Sequence, residues 1–174
     1  MKNIIEVKNY GDTLIINTKK ICYFIEAIDN KTIVFYNLNA DSINISYNDF
    51  KNLIDISGYV EIYDIDEQKI MVNLNAIYFI KESNQNVKIY SGFSKIKDDN
   101  NNYLRKIKTY NNKFMKKNNI FIQVNDFNNN RLLINKKYIT TIQNNNNIVS
   151  IYLDDDIEID TKEVYDEIKE KLMQ

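Results

Sequence analysis

Apolar and polar positions alternate at period two through much of this chain, and the alternation is interrupted by an apolar triplet closed by Asn that occurs three times: Leu14-Ile15-Ile16-Asn17, Ile70-Met71-Val72-Asn73 and Leu132-Leu133-Ile134-Asn135. Each Asn is followed four residues on by Ile (Ile21, Ile77, Ile139) and three further by a large apolar residue (Phe24, Ile80, Ile142). A repeated pattern decides the fold reading before any single element does. Upstream of each triplet, Ile5-Glu6-Val7, Val60-Glu61-Ile62 and Ile122-Gln123-Val124 alternate as half-buried strands do. Polar turns join the two strands of each pair.

A third strand is predicted near residues 21–28, 77–82 and 139–143, and a fourth near 32–36, 87–90 and 148–153. Asn30, Asn84 and Asn145 fall in the hairpin turns between them. A closing helix follows. In the third stretch Asp160 with Glu163 reads as a capping box, and Val164, Ile168 and Leu172 share one face. In the first, Ser46 and Asp49 play the capping parts ahead of Phe50, Leu53 and Ile54. In the second, Tyr103, Leu104, Ile107, Tyr110 and Phe114 have helical spacing. The expected fold is α+β and β-rich: three repeated strand-strand-strand-strand-helix units, residues 1–57, 58–117 and 118–174, packed into one compact body. Units this short bury too little surface to be comfortable alone, so they are expected to share sheets or pack helices together. The repeated Asn is expected to cap a turn by accepting backbone N–H groups.

Composition changes this picture in two ways. The 174 residues include no Pro, no His, no Trp and three Gly, against 29 Asn and 30 Ile, the bias that an AT-rich genome imposes. Asn supplies the turns instead, since it bonds nearby backbone and tolerates the left-handed conformation. The second change is exclusion. One cysteine, Cys22, forbids an internal disulfide and fits a reducing, cytoplasmic setting. No membrane partner is expected, because no window of eighteen apolar residues exists.

The order of strand, polar turn, apolar strand ending in Asn, Ile four later and an apolar residue seven after the Asn, then a hairpin and an amphipathic helix, resembles the FlbD/SwrD-type flagellar proteins. Phe121 through Leu172 carries the likeness best. Ile25, Lys81 and Gln143 stand where that family commonly has Glu, and its hairpin Gly is missing. The resemblance implies the strand-helix topology and a flagellum-associated accessory role. LytTR-type DNA-binding domains and bacterial pleckstrin-like domains have a similar order of elements.

Chemistry is scarce. Without His, the commonest general base and the Ser-His and Cys-His nucleophile pairs are absent. Cys22 lies in a strand pattern and reads as a buried, inert thiol. Gly11, Gly58 and Gly92 are too scattered for a phosphate loop. The acids Asp154, Asp155, Asp156, Glu158 and Asp160 cluster, but not at the spacing of a calcium loop. No catalytic residue, metal or cofactor is therefore expected, and the chain reads as non-enzymatic.

Charge is the remaining guide. The chain totals −1, but the three stretches carry −1, +4 and −4. The positive excess is Lys95, Lys97, Arg105, Lys106, Lys108, Lys113, Lys116 and Lys117, interleaved with Tyr103 and Tyr110. Such a mixture holds phosphates and stacks bases, which points to nucleic acid. The acidic face, Asp154, Asp155, Asp156 and Glu158, points to a protein partner. The leading expectation is a protein-binding adaptor or inhibitor, of the phage anti-defence or immunity kind. Nucleic-acid binding through residues 95–117 is the alternative, and a homo-oligomer is compatible with both.

Overall fold

A computed structural model describes residues 3–36, 39–63, 68–83, 86–91, 120–146 and 148–174. The chain divides into two compact units, one running from the N-terminus through Ile77, the other holding Tyr78–Tyr90 and the C-terminal strands and helix.

In the first unit, β1 (Ile4–Asn9) and β2 (Asp12–Asn17) form an antiparallel ribbon. Its two-residue turn needs positive φ at both positions, and Tyr10 (φ 50) and Gly11 (φ 98) supply it. The alternation predicted from sequence buries Ile5, Val7 and Ile16 on one face and leaves Ile4 and Ile15 exposed on the other. Next come β3 (Tyr23–Glu26), β4 (Thr32–Phe35), β5 (Ala40–Ile43), α1 (Tyr47–Leu53), β6 (Tyr59–Tyr63) and β7 (Lys69–Asn73). The strands make one antiparallel sheet in the order β5-β4-β3-β7-β6. The core closes around Phe24, whose ring lies 5.0 Å from Phe50 edge-on and 5.3 Å from Tyr47. As expected, Ser46 caps α1 by accepting the Asp49 N–H at 3.1 Å. Phe50 and Ile54 are buried as the stripe predicts, but Leu53 is exposed and Tyr47 takes the inward position instead.

The second unit contains β8 (Ile77–Ser83), β9 (Asn86–Ser91), β10 (Phe121–Asn125), β11 (Arg131–Asn135), β12 (Ile139–Asn145), β13 (Ile148–Leu153), β14 (Ile157–Thr161) and α2 (Tyr165–Met173). Two antiparallel sheets result, β10-β11-β8-β9 and β12-β13-β14. Val124, Ile134, Ile151 and Ile168 lie at the centre of their shared core.

This is β-rich, but it is not the expected α+β body of three repeated strand-helix units. The described residues form four separate antiparallel sheets and two α-helices. The strands of the middle stretch make no unit of their own: β7 pairs with β3 and carries β6 at its other edge, while β8 pairs with β11 and carries β9. The physical reason lies at the strand edges. In a hairpin alone, β7 and β11 would each leave one row of N–H and C=O groups unpaired, and β3 and β8 take up those rows. Ile70–Val72 and Leu132–Ile134 are buried on both faces. The helix expected on Tyr103 through Phe114 lies outside the described residues.

Each triplet-closing Asn does cap a 3-10 turn. The side-chain oxygens of Asn17, Asn73 and Asn135 accept the N–H two residues on, from Lys19, Asn75 and Lys137, at 3.1, 3.0 and 3.1 Å.

Candidate functional site

The basic residues singled out from sequence, Lys95, Lys97, Arg105, Lys106, Lys108, Lys113, Lys116 and Lys117, lie outside the described residues. They belong to the stretch between β9 and β10.

The acidic group is placed. Asp154, Asp155 and Asp156 form the 3-10 turn joining β13 to β14, with Asp154 and Asp156 exposed. Asp156 closes the turn at φ 59, a left-handed position that Asp tolerates. Glu158 then points outward from β14, and so does Asp160, two residues on and on the same face. Opposite them on β13 stand Tyr152 and Ser150. The Tyr152 hydroxyl donates to Glu158 Oε1 at 2.8 Å, and the Ser150 hydroxyl donates to Asp160 Oδ1 at 2.6 Å. The bond to Glu158 and the partial loss of water raise the Tyr152 phenol above its ordinary value. Thr141 and Gln143 of β12 complete the two rows, Thr141–Tyr152–Glu158 and Gln143–Ser150–Asp160.

Asp160 differs from its sequence assignment. It is a strand residue, not a helix cap, because α2 begins later, at Tyr165, with Val164 at the cap position and no side-chain cap bond. Glu163, the other half of the expected box, accepts the Asn125 N–H at 2.9 Å and pairs with Lys171. Sequence reasoning also missed Ser150 and Tyr152, whose role depends on cross-strand register. The signal available was the alternation Ile148-Val149-Ser150-Ile151-Tyr152-Leu153, which puts Ser150 and Tyr152 on one face.

Glu158 and Asp160 each hold a hydroxyl partner, and among the described residues no three His, Cys, Asp or Glu side chains converge as a metal site. Cys22 is buried, and burial pushes its thiol up to about 11, so it is not poised as a nucleophile. The strongest buried electrostatic feature is structural. Asp126 accepts N–H groups from Asn128 and Asn130 at 2.9 and 2.8 Å, the Asn130 amide at 2.9 Å, and an ion pair from Lys81 at 2.7 Å. Burial alone would raise its carboxyl, but these donors outweigh it and hold it at about 2. No helix among the described residues is long and apolar enough to cross a membrane.

No family model matches the chain, and no curated protein matches it. Among solved structures, one similar chain is described as the LytTr DNA-binding domain of a methyl-accepting/DNA response regulator from Bacillus cereus. The match covers 99% of this chain and 98% of that one at 13% identity, with a TM-score of 0.34. The functional reading rests on this chain's own residues.

Proposed function

We propose that this chain is a non-enzymatic binding domain whose ligand is nucleic acid, held by the basic stretch between β9 and β10. One observation carries the reading: residues 95–117 hold eight cations against only Asp98 and Asp99, while the whole chain is at −1. Positive charge is thus concentrated in one segment, with Tyr103 and Tyr110 interleaved, and the remainder of the chain is net acidic. Affinity for a polyanion comes from releasing the counterions that its phosphates condense. With about six phosphate contacts, binding of a labelled duplex is expected to weaken roughly a thousandfold or more between about 50 and about 200 mM salt. Fluorescence anisotropy measures this directly. Reversing Lys106, Lys108 and Lys113 to Glu should abolish binding at low salt. Absence of binding by the wild type at about 50 mM salt would sink the reading.

A second reading is supported by the acidic rim. Asp154, Asp156, Glu158 and Asp160 present like charge along one edge of the β12-β13-β14 sheet, as a surface for a basic protein partner does. Affinity purification with nuclease treatment separates the two. A stoichiometric protein that survives digestion, and is lost on changing Glu158 and Asp160 to Lys, favours the adaptor or inhibitor role.

A further inference from the structure

Positive charge does not stop at residue 117. From Asn100 to Leu153 the chain carries nine cations against one acid, Asp126. The last two of those cations, Lys136 and Lys137, lie within the fold, in the 3-10 turn that follows β11. Sheet register decides where this turn stands. One row crosses all four strands: Ile122 lies beside Ile134, Ile134 beside Phe79, and the Phe79 ring stacks on Tyr90 at 4.1 Å. That row is next to the start of β10, the end of β11, the start of β8 and the end of β9. The chain joining β9 to β10 therefore leaves the sheet and returns to it at one end. The Lys136–Lys137 turn is at that same end, and the Lys136 N–H donates to the Ile120 carbonyl at 2.9 Å, immediately ahead of β10.

The turn is held in place and its cations are uncommitted. Asn135 accepts the Lys137 N–H at 3.1 Å. The Tyr138 ring packs on Tyr78 with centroids 4.1 Å apart, and Lys137 Nζ stands 5.1 Å from the centre of the Tyr138 ring. Lys137 is exposed and Lys136 half-buried. Elsewhere in this unit Lys81 pairs with Asp126, Arg131 with Glu82 and Lys171 with Glu163. Lys136 and Lys137 make no ion pair among the described residues.

We infer that Lys136 and Lys137 each bind a backbone phosphate of the nucleic acid, at the sheet end from which the basic stretch leaves. This rests on the nucleic-acid reading and adds to it two contacts made by the folded body. The ligand chemistry is a phosphate diester, because an ammonium is a point charge that neutralises phosphate without a fork to read a base edge. Two cations on a turn whose main chain is already fixed lose less freedom on binding than cations on a free chain. Lys162 offers the contrast: its Nζ lies 5.3 Å from the centre of the Phe127 ring, beside the turn between β10 and β11 at the opposite end of the sheet.

Anisotropy titrations of the full chain with a labelled duplex, over about 50 to about 200 mM salt, test this. Each phosphate contact contributes about 0.9 to the slope of log affinity against log salt. The double variant Lys136→Gln with Lys137→Gln should bind more weakly at low salt, and its loss of affinity across that range should be about tenfold smaller than that of the wild type. Arg at both positions should restore the wild-type slope, and circular dichroism checks that each variant is folded. Lys162→Gln removes a cation from the other end of the sheet and should leave the slope unchanged. A wild-type slope in the folded double variant, or an equal flattening by Lys162→Gln, overturns the inference and leaves the nucleic-acid reading standing. A wild type that binds no duplex at about 50 mM salt overturns both.

Discussion

At the scale of single residues, Asp126 shows how a polar side chain replaces the missing Pro and Gly. Its carboxylate gathers the N–H groups of Asn128 and Asn130, and Asn129 turns the chain at φ 60. Lys81 supplies the opposite charge from β8. Removing the carboxylate leaves a cation and several N–H groups without their acceptor, so Asp126→Ala should cost about 2–3 kcal/mol at neutral pH, measured by urea unfolding. The sign with pH follows from the depressed carboxyl. Its folded value is about 2 against an ordinary 3.8, so the stabilisation is fully present above the ordinary value and lost as pH falls toward 2. The gap between wild type and Asp126→Ala should close over that window. A gap that holds constant down to pH 2 would contradict the assignment.

At the scale of elements, one sequence pattern sits in three environments. The caps at Asn17, Asn73 and Asn135 share a bond geometry, yet Asn17 is exposed whereas Asn73 and Asn135 are buried. Asn73 also donates its amide to the Ile21 carbonyl at 2.9 Å. Asn17→Ala should therefore cost about 1 kcal/mol, the usual loss of an exposed cap. Asn73→Ala should cost about 2–3 kcal/mol, because the buried bond to the Ile21 carbonyl is lost in addition to the cap on the Asn75 N–H. Chemical denaturation of the two variants compares them, and equal losses would show that burial is not what distinguishes the sites. Legibility followed the same division. The strand pairs, the turns built on Asn and the Ser46 cap depend on neighbours in sequence, and they were readable there. The start of α2 was not, because Glu163 is drawn away to Asn125 and Lys171, contacts that span 38 and 8 residues.

At the scale of the whole molecule, the middle stretch is what sequence periodicity misassigned. A fragment ending at residue 57 would keep β3 but lose β7 from its edge and Tyr59 and Met71 from the core around Phe24. A fragment of residues 1–77 keeps all five strands of that sheet. The longer fragment should unfold cooperatively and show fixed near-ultraviolet circular dichroism, and the shorter one should do neither. Independent folding of residues 1–57 would restore the repeat as a structural unit.

The sequence by itself determined the β-rich character, the position of nearly every hairpin, the Asn-capped turns and the segregation of charge, since these follow from period, side-chain chemistry and count. The tertiary structure alone decided how the hairpins join, that β7 and β11 lie inside sheets while β2 stays in a two-stranded ribbon, and that Ser150 and Tyr152 hold the carboxylates of the acidic rim. Pairing beyond a hairpin is set by whichever strand satisfies the free N–H and C=O groups of the other edge while keeping the apolar residues on the core side, and that strand can be far away in the chain.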